Sequence, residues 1–140
     1  MRILRAVLVG CGGISNAWFN PLKGWTDVKV VGLVDINEAA AQKRKEEHGL
    51  AEATTGTDLR AMLKAAKPDI VFDCTVPDAR VSVVLTALRH GCHVLSEKHM
   101  GASMAEARRM VQASKKAKRL FAVMQNRRYD ARIRALLSLI

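Results

Sequence analysis

The sequence predicts a doubly wound α/β domain, a parallel sheet with helices packed on both faces. Three observations carry the prediction. Short apolar runs rich in Val, Leu and Ile alternate along the 140 residues with longer segments of helix-forming composition. That is the order in which parallel strands and their crossover helices follow one another. The first run, ILRAVLVG, leads straight into a glycine-rich turn, and the second, VKVVGLVD, closes on an acid.

Each element has its own signals. Residues 3–10 (ILRAVLVG) read as a buried strand, because continuous Val, Leu and Ile suit a sheet covered on both faces. Residues 16–25 (NAWFNPLKGW) are helical and broken near Pro21 and Gly24. VKVVGLVD, 28–35, is the second strand. Asn37 is a good N-cap for NEAAAQKRKEEHG, whose strong helix formers stop at Gly49, a usual C-terminal residue. AEAT supplies a short strand, and TDLRAMLKAAK a helix capped by Thr57 or Asp58 and ending before Pro68. DIVFDCT is a strand, and PDARVSVVLTALRHG a helix with Pro77 in its first turn and Gly91 closing it. HVLSE is a further strand. Ser103, with Glu106 three residues on, forms a capping box for SMAEARRMVQASKKAK. LFAVMQ is the last strand, and DARIRALLSLI reads as a helix.

Composition narrows the function classes. No stretch stays apolar for the length a bilayer requires, so no membrane association is expected. The N-terminal apolar run lacks a small-x-small cleavage site, and its glycines serve better as a turn than as the end of a signal peptide. Cys11, Cys74 and Cys92 are odd in number, far apart and without metal spacing, as in a reduced cytoplasmic protein with no metal site. The net charge of +10 suits a polyanion partner. Its excess, however, lies between Arg108 and Arg134, where it reads as the wet face of a helix. Aromatic content of 4% and the lack of a reader motif argue against nucleic-acid binding.

The glycine turn carries the chemistry. Gly10, Gly12 and Ser15 form GxGxxS, with Gly13 and Ile14 on the same turn. In a nucleotide-binding crossover the first glycine permits the tight turn, and the second lets backbone approach a pyrophosphate. The third small residue keeps helix close to strand. The helix start favours an anion through its N–H groups and dipole. Asp35 ends the second strand 23 positions after Gly12, where a carboxylate can accept from both hydroxyls of an adenosine ribose. Such an acid repels a 2′-phosphate, and Ile36 and Asn37 follow it without an arginine. The basic residues at 43–45 stand farther along the helix and would have to fold back. The expected cofactor is NAD, with NADP less favoured.

VGCGGIS, VVGLVD, DIVFDCTVPD, ALRHGCHVLSEKHM and AVMQNRRYD, in this order, resemble the N-terminal half of the Gfo/Idh/MocA oxidoreductases. The resemblance implies a Rossmann domain over 1–125, with 126–140 opening a substrate domain that lies outside this chain. It also implies hydride transfer between a nicotinamide and a sugar, cyclitol or related polyol, and a homo-oligomer for the full-length protein. By the same resemblance Lys98 hydrogen-bonds the reacting hydroxyl and is the catalytic residue, and Glu97 lines the cofactor site. Thr75, Val76 and Pro77 border the nicotinamide side, and Gln125, Asn126 and Arg127 the exit of the last strand. Four positions depart from the family pattern: His99 stands where proline is usual, Trp18 and Arg80 (or Val81) where histidines are common, and Ala131 where proline is frequent. Without proline, the Lys98–His99 bond is expected to be trans. Family members are more than twice as long, so this chain alone is expected to bind NAD without turning over a polyol. The alternative function is a non-catalytic NAD-binding or NAD-sensing module.

Overall fold

A computed structural model describes residues 2–125 and 130–139. Six parallel strands form one sheet: β1 (Leu4–Val9), β2 (Val28–Val34), β3 (Thr54–Gly56), β4 (Ile70–Asp73), β5 (His93–Ser96) and β6 (Phe121–Val123). Their order is β3-β2-β1-β4-β5-β6, with every neighbouring pair parallel. The helices between them are α1 (Ser15–Leu22), α2 (Glu38–Glu47), α3 (Leu59–Ala66), α4 (Pro77–Arg89) and α5 (Met104–Ala117), and α6 (Ala131–Leu137) follows β6. The predicted architecture is therefore the one observed, with one correction: the short strand read at AEAT lies at Thr54–Gly56, because its place is set by pairing with Gly32, Leu33 and Val34 of β2 rather than by its own composition.

Two apolar cores lie on opposite sides of the sheet. One packs Trp18 and Phe19 of α1 and Ala41 of α2 against Ala6, Leu8, Leu33 and Phe72. The other packs Met62, Val84, Leu88 and Met110 from α3, α4 and α5 against Val7, Val9, Val71 and Val94. Alternate residues of β1 face opposite cores, as the two-residue period of a strand requires.

The predicted caps are present. The Asn37 side chain accepts from Ala39 N–H, and Asp58 accepts from Arg60 and Ala61 N–H. Ser103 accepts from Glu106 N–H at 3.2 Å, but the Glu106 carboxylate returns to Ala102 N–H, one residue before the cap. Helix α1 runs one residue past Pro21 before it ends. Arg108 and Arg109 are exposed on α5, whereas Met110 beside them is buried, so this part of the basic stretch faces solvent.

His48, the C-cap of α2, joins the two helices of one face. Its ring stacks on Phe19 at 4.3 Å, and Nε2 lies 2.9 Å from the Asn16 side-chain oxygen. Burial, with Lys23 and Arg44 adding positive charge, lowers its pKa below the ordinary 6.5. The unfolded chain thus binds this proton more readily than the folded one. The stability His48 contributes is intact above pH 6.5 and is lost as pH falls toward the lower folded value. Urea unfolding at pH 7.5 and pH 5.5 should show a smaller loss for His48→Gln than for the wild type. Equal losses would remove His48 as the source.

Candidate functional site

The strand order reverses between β1 and β4, and ligands of open α/β sheets bind at such a switch point, beyond the strands' carboxyl ends. The turn after β1 passes very close to the exit of β4. Gly10 has φ +90°, and a Cβ there would stand 2.8 Å from the Cys74 carbonyl carbon and 2.9 Å from Thr75 N. Only glycine serves both the dihedral and the approach. Cβ atoms at Gly12 and Gly13, by contrast, would have no neighbour within 4 Å, so the turn's outer face is open.

Beside that turn lies a groove of about 330 Å³, lined by Gly10, Gly12, Asp35, Thr75 and Val76 with an apolar floor that includes Val34. Asp35 Oδ2 accepts from Cys11 N–H at 2.7 Å and Oδ1 from Asn37 N–H at 2.8 Å. These bonds fix the carboxylate, and each oxygen keeps further acceptor capacity. The N-cap of α1 is Ile14, which brings no side-chain acceptor, so no cap competes with a phosphate for the helix start. A dinucleotide fits these residues: an open glycine turn for its pyrophosphate, a held carboxylate for a ribose, and apolar walls for flat rings.

The other predicted residues that the structure describes do not line the groove. Ser15 is fully buried and donates to the Gly12 carbonyl at 2.6 Å, so it holds the turn from beneath. Gly13 and the half-exposed Ile14 continue the turn, and Pro77 is the first residue of α4. The Glu97 carboxylate accepts from Trp18 Nε1 at 2.8 Å and from Lys98 N–H at 3.1 Å. Lys98 is exposed just beyond β5, and Gln125 is exposed after β6. Asn126 and Arg127 lie outside the described residues.

Two expectations are corrected. The Lys98–His99 bond is cis. The trans expectation considered the dipeptide alone, whereas in the fold the His99 carbonyl accepts from Arg80. Arg44, expected to lie away from the glycine turn, does reach it. Its Nε lies 3.1 Å from both the Cys11 carbonyl and Ser15 Oγ, and Nη2 lies 3.3 Å from the Gly12 carbonyl. Helices α1 and α2 share one face of the sheet, which carries residue 44 over the start of α1. With a terminal nitrogen also on Glu47, the guanidinium is taken up by the protein.

Sequence reasoning missed the buried polar group beneath the site. Asp73 and Arg80 form an ion pair at 3.1 Å with both side chains inaccessible, and Ser96 Oγ donates to Asp73 at 2.7 Å. The available signal was an acid ending the apolar run DIVFD, because a carboxylate in such a strand requires a partner. The three thiols are buried, and that burial disfavours the thiolate form. Burial, with the Asp35 charge adding, pushes Cys11 up to about 12, and burial also raises Cys74 and Cys92. Among the described residues no cluster of His, Cys, Asp and Glu could hold a metal ion, and no helix is long and apolar enough to cross a membrane.

Comparison with known proteins bears on the fold and the family. Residues 4–125 match the GFO_IDH_MocA model, an oxidoreductase family with an NAD-binding Rossmann fold. The chain is 30% identical over 122 residues to a D-glucoside 3-dehydrogenase of Escherichia coli (strain K12), a match over 85% of this chain and 34% of that protein. It is 25% identical over 133 residues to a myo-inositol 2-dehydrogenase of Thermotoga maritima, covering 95% and 39%. The WlbA dehydrogenase from Bordetella pertussis, solved with NADH and UDP-GlcNAcA, superposes with a TM-score of 0.81 at 32% identity, over 91% of this chain and 36% of that one. The chain thus spans 34–39% of the length of these relatives.

Proposed function

This chain belongs to the Gfo/Idh/MocA oxidoreductase family, and from that premise we propose that it is the NAD-binding domain of a dehydrogenase acting on a sugar, cyclitol or related polyol. The observation that carries the reading is the open glycine turn set beside a fixed Asp35 at the sheet's switch point. Support for the substrate class comes from the glucoside and inositol dehydrogenases among the relatives.

In this reading the backbone from Gly10 to Ile14 receives the pyrophosphate, and Asp35 accepts from the adenosine ribose. The bound nicotinamide supplies the hydride donor or acceptor. Lys98, exposed at the carboxyl edge of the sheet, donates to the reacting oxygen and stabilises alkoxide charge as it develops there. Residues 126–140 open the substrate domain. The domain takes NAD in preference to NADP, because a carboxylate at the ribose repels a 2′-phosphate and Arg44 is already occupied.

Fluorescence titration with NADH and NADPH tests the reading. The wild type should bind NADH more tightly than NADPH. Asp35→Ala should weaken NADH about tenfold, the scale of a hydrogen bond to a charged acceptor, and should narrow the difference between the cofactors. An unchanged preference would show that Asp35 does not read the ribose. A wild type that binds neither would overturn the assignment of the groove.

A further inference from the structure

Arg80 is only 1% exposed, and it does not line the groove. A guanidinium has five donors and no acceptor, and burying one is costly unless its donors are met. Here they are divided among three places. Nε donates to Asp73, one terminal nitrogen to the Thr75 carbonyl, and the other to the His99 carbonyl. Asp73 in turn accepts from Thr75 N–H at 2.9 Å and from the Ser96 hydroxyl. One buried ion pair therefore grips the exit of β4 on one side and the segment after β5 on the other, and that segment carries Glu97 and Lys98. Holding α4 to the sheet requires no such reach, since apolar residues of similar volume do that at least as well. A planar fork bonded to two carbonyls adds direction, because it fixes one loop relative to the other.

We propose that Arg80 is a positioning residue. From beneath the sheet's edge it sets the spacing between the Thr75–Val76 turn and Lys98, and so shapes the seat of the cofactor's nicotinamide half. The proposal rests on the reading of the groove as an NAD site. The adenosine half depends on other groups, Asp35 and the glycine turn, which Arg80 does not touch.

The test compares NADH with ADP-ribose, which lacks the nicotinamide ring. It uses Arg80→Lys and the pair Asp73→Asn with Arg80→Met, the second chosen to leave no unpaired buried charge. Both should weaken NADH about tenfold while ADP-ribose affinity changes by no more than about twofold. In ligand-free protein, ¹⁵N relaxation of the Lys98 and His99 amides should show order parameters falling from about 0.85 to below about 0.6. Parallel weakening of both ligands, or unaltered order parameters, would overturn the proposal and leave Arg80 a residue of folding alone. Should the double variant not fold, Arg80→Lys is judged by the same two readouts. A wild type that binds neither ligand would refute the nucleotide reading of the groove instead, and the relaxation measurement would then decide Arg80's hold on the segment by itself.

Discussion

Gly10→Ala should cost about 2–5 kcal/mol of stability, whereas Gly12→Ala, two residues away, should cost almost none and still destroy NADH binding. The contrast follows from where each methyl would go. At Gly10 it meets the Cys74 carbonyl carbon at 2.8 Å and Thr75 N at 2.9 Å, both backbone atoms of a strand end that cannot swing aside, and φ is +90°. Strained dihedral and overpacking act together there. At Gly12 no protein atom lies within 4 Å of the added carbon, so the fold is indifferent to it. A pyrophosphate seated on the turn is not. Urea unfolding and NADH titration of the two variants separate the effects. A stable Gly10→Ala would mean that β1 and β4 can part at no cost. Intact NADH binding by Gly12→Ala would mean that the phosphates do not rest on the turn.

Asp73→Ala should be the most damaging change at a polar residue, about 3–5 kcal/mol, because it leaves the Arg80 charge buried without its partner. It also removes the acceptor for Thr75 N–H and the shorter of two acceptors for the Ser96 hydroxyl. Asp73→Asn with Arg80→Met should be milder than Asp73→Ala, although it alters two residues. Chemical denaturation of the three proteins checks the order. A double variant less stable than Asp73→Ala would show that geometry, and not the stranded charge, dominates the loss.

What the sequence made legible was local. Asn37, Asp58 and Ser103 cap their helices through neighbours two or three residues away, and a short window holds the whole interaction. Most strands were legible because a sheet covered on both faces demands unbroken apolar runs; β3, the edge strand Thr54–Gly56, has no such run and was read too early in the chain. Asp35 was legible because its place follows from the end of a strand. The Trp18–Glu97 and Arg44–Cys11 bonds join residues 79 and 33 positions apart, and nothing local announces them. They exist because α1, α2 and the β5 exit converge at one edge of the sheet. The Lys98–His99 segment belongs with these: its neighbour Arg80 comes from α4.

The indole of Trp18 has a further consequence. The chain has two tryptophans, and they occupy opposite surroundings: Trp18 is buried and bonded to Glu97, whereas Trp25 is 56% exposed. The two dyes differ in polarity and in access to a water-borne quencher such as iodide. One is tied to Glu97 beside the exit of β5 and the other stands just before the N-terminal end of β2, so the molecule carries its own optical label and its own internal standard.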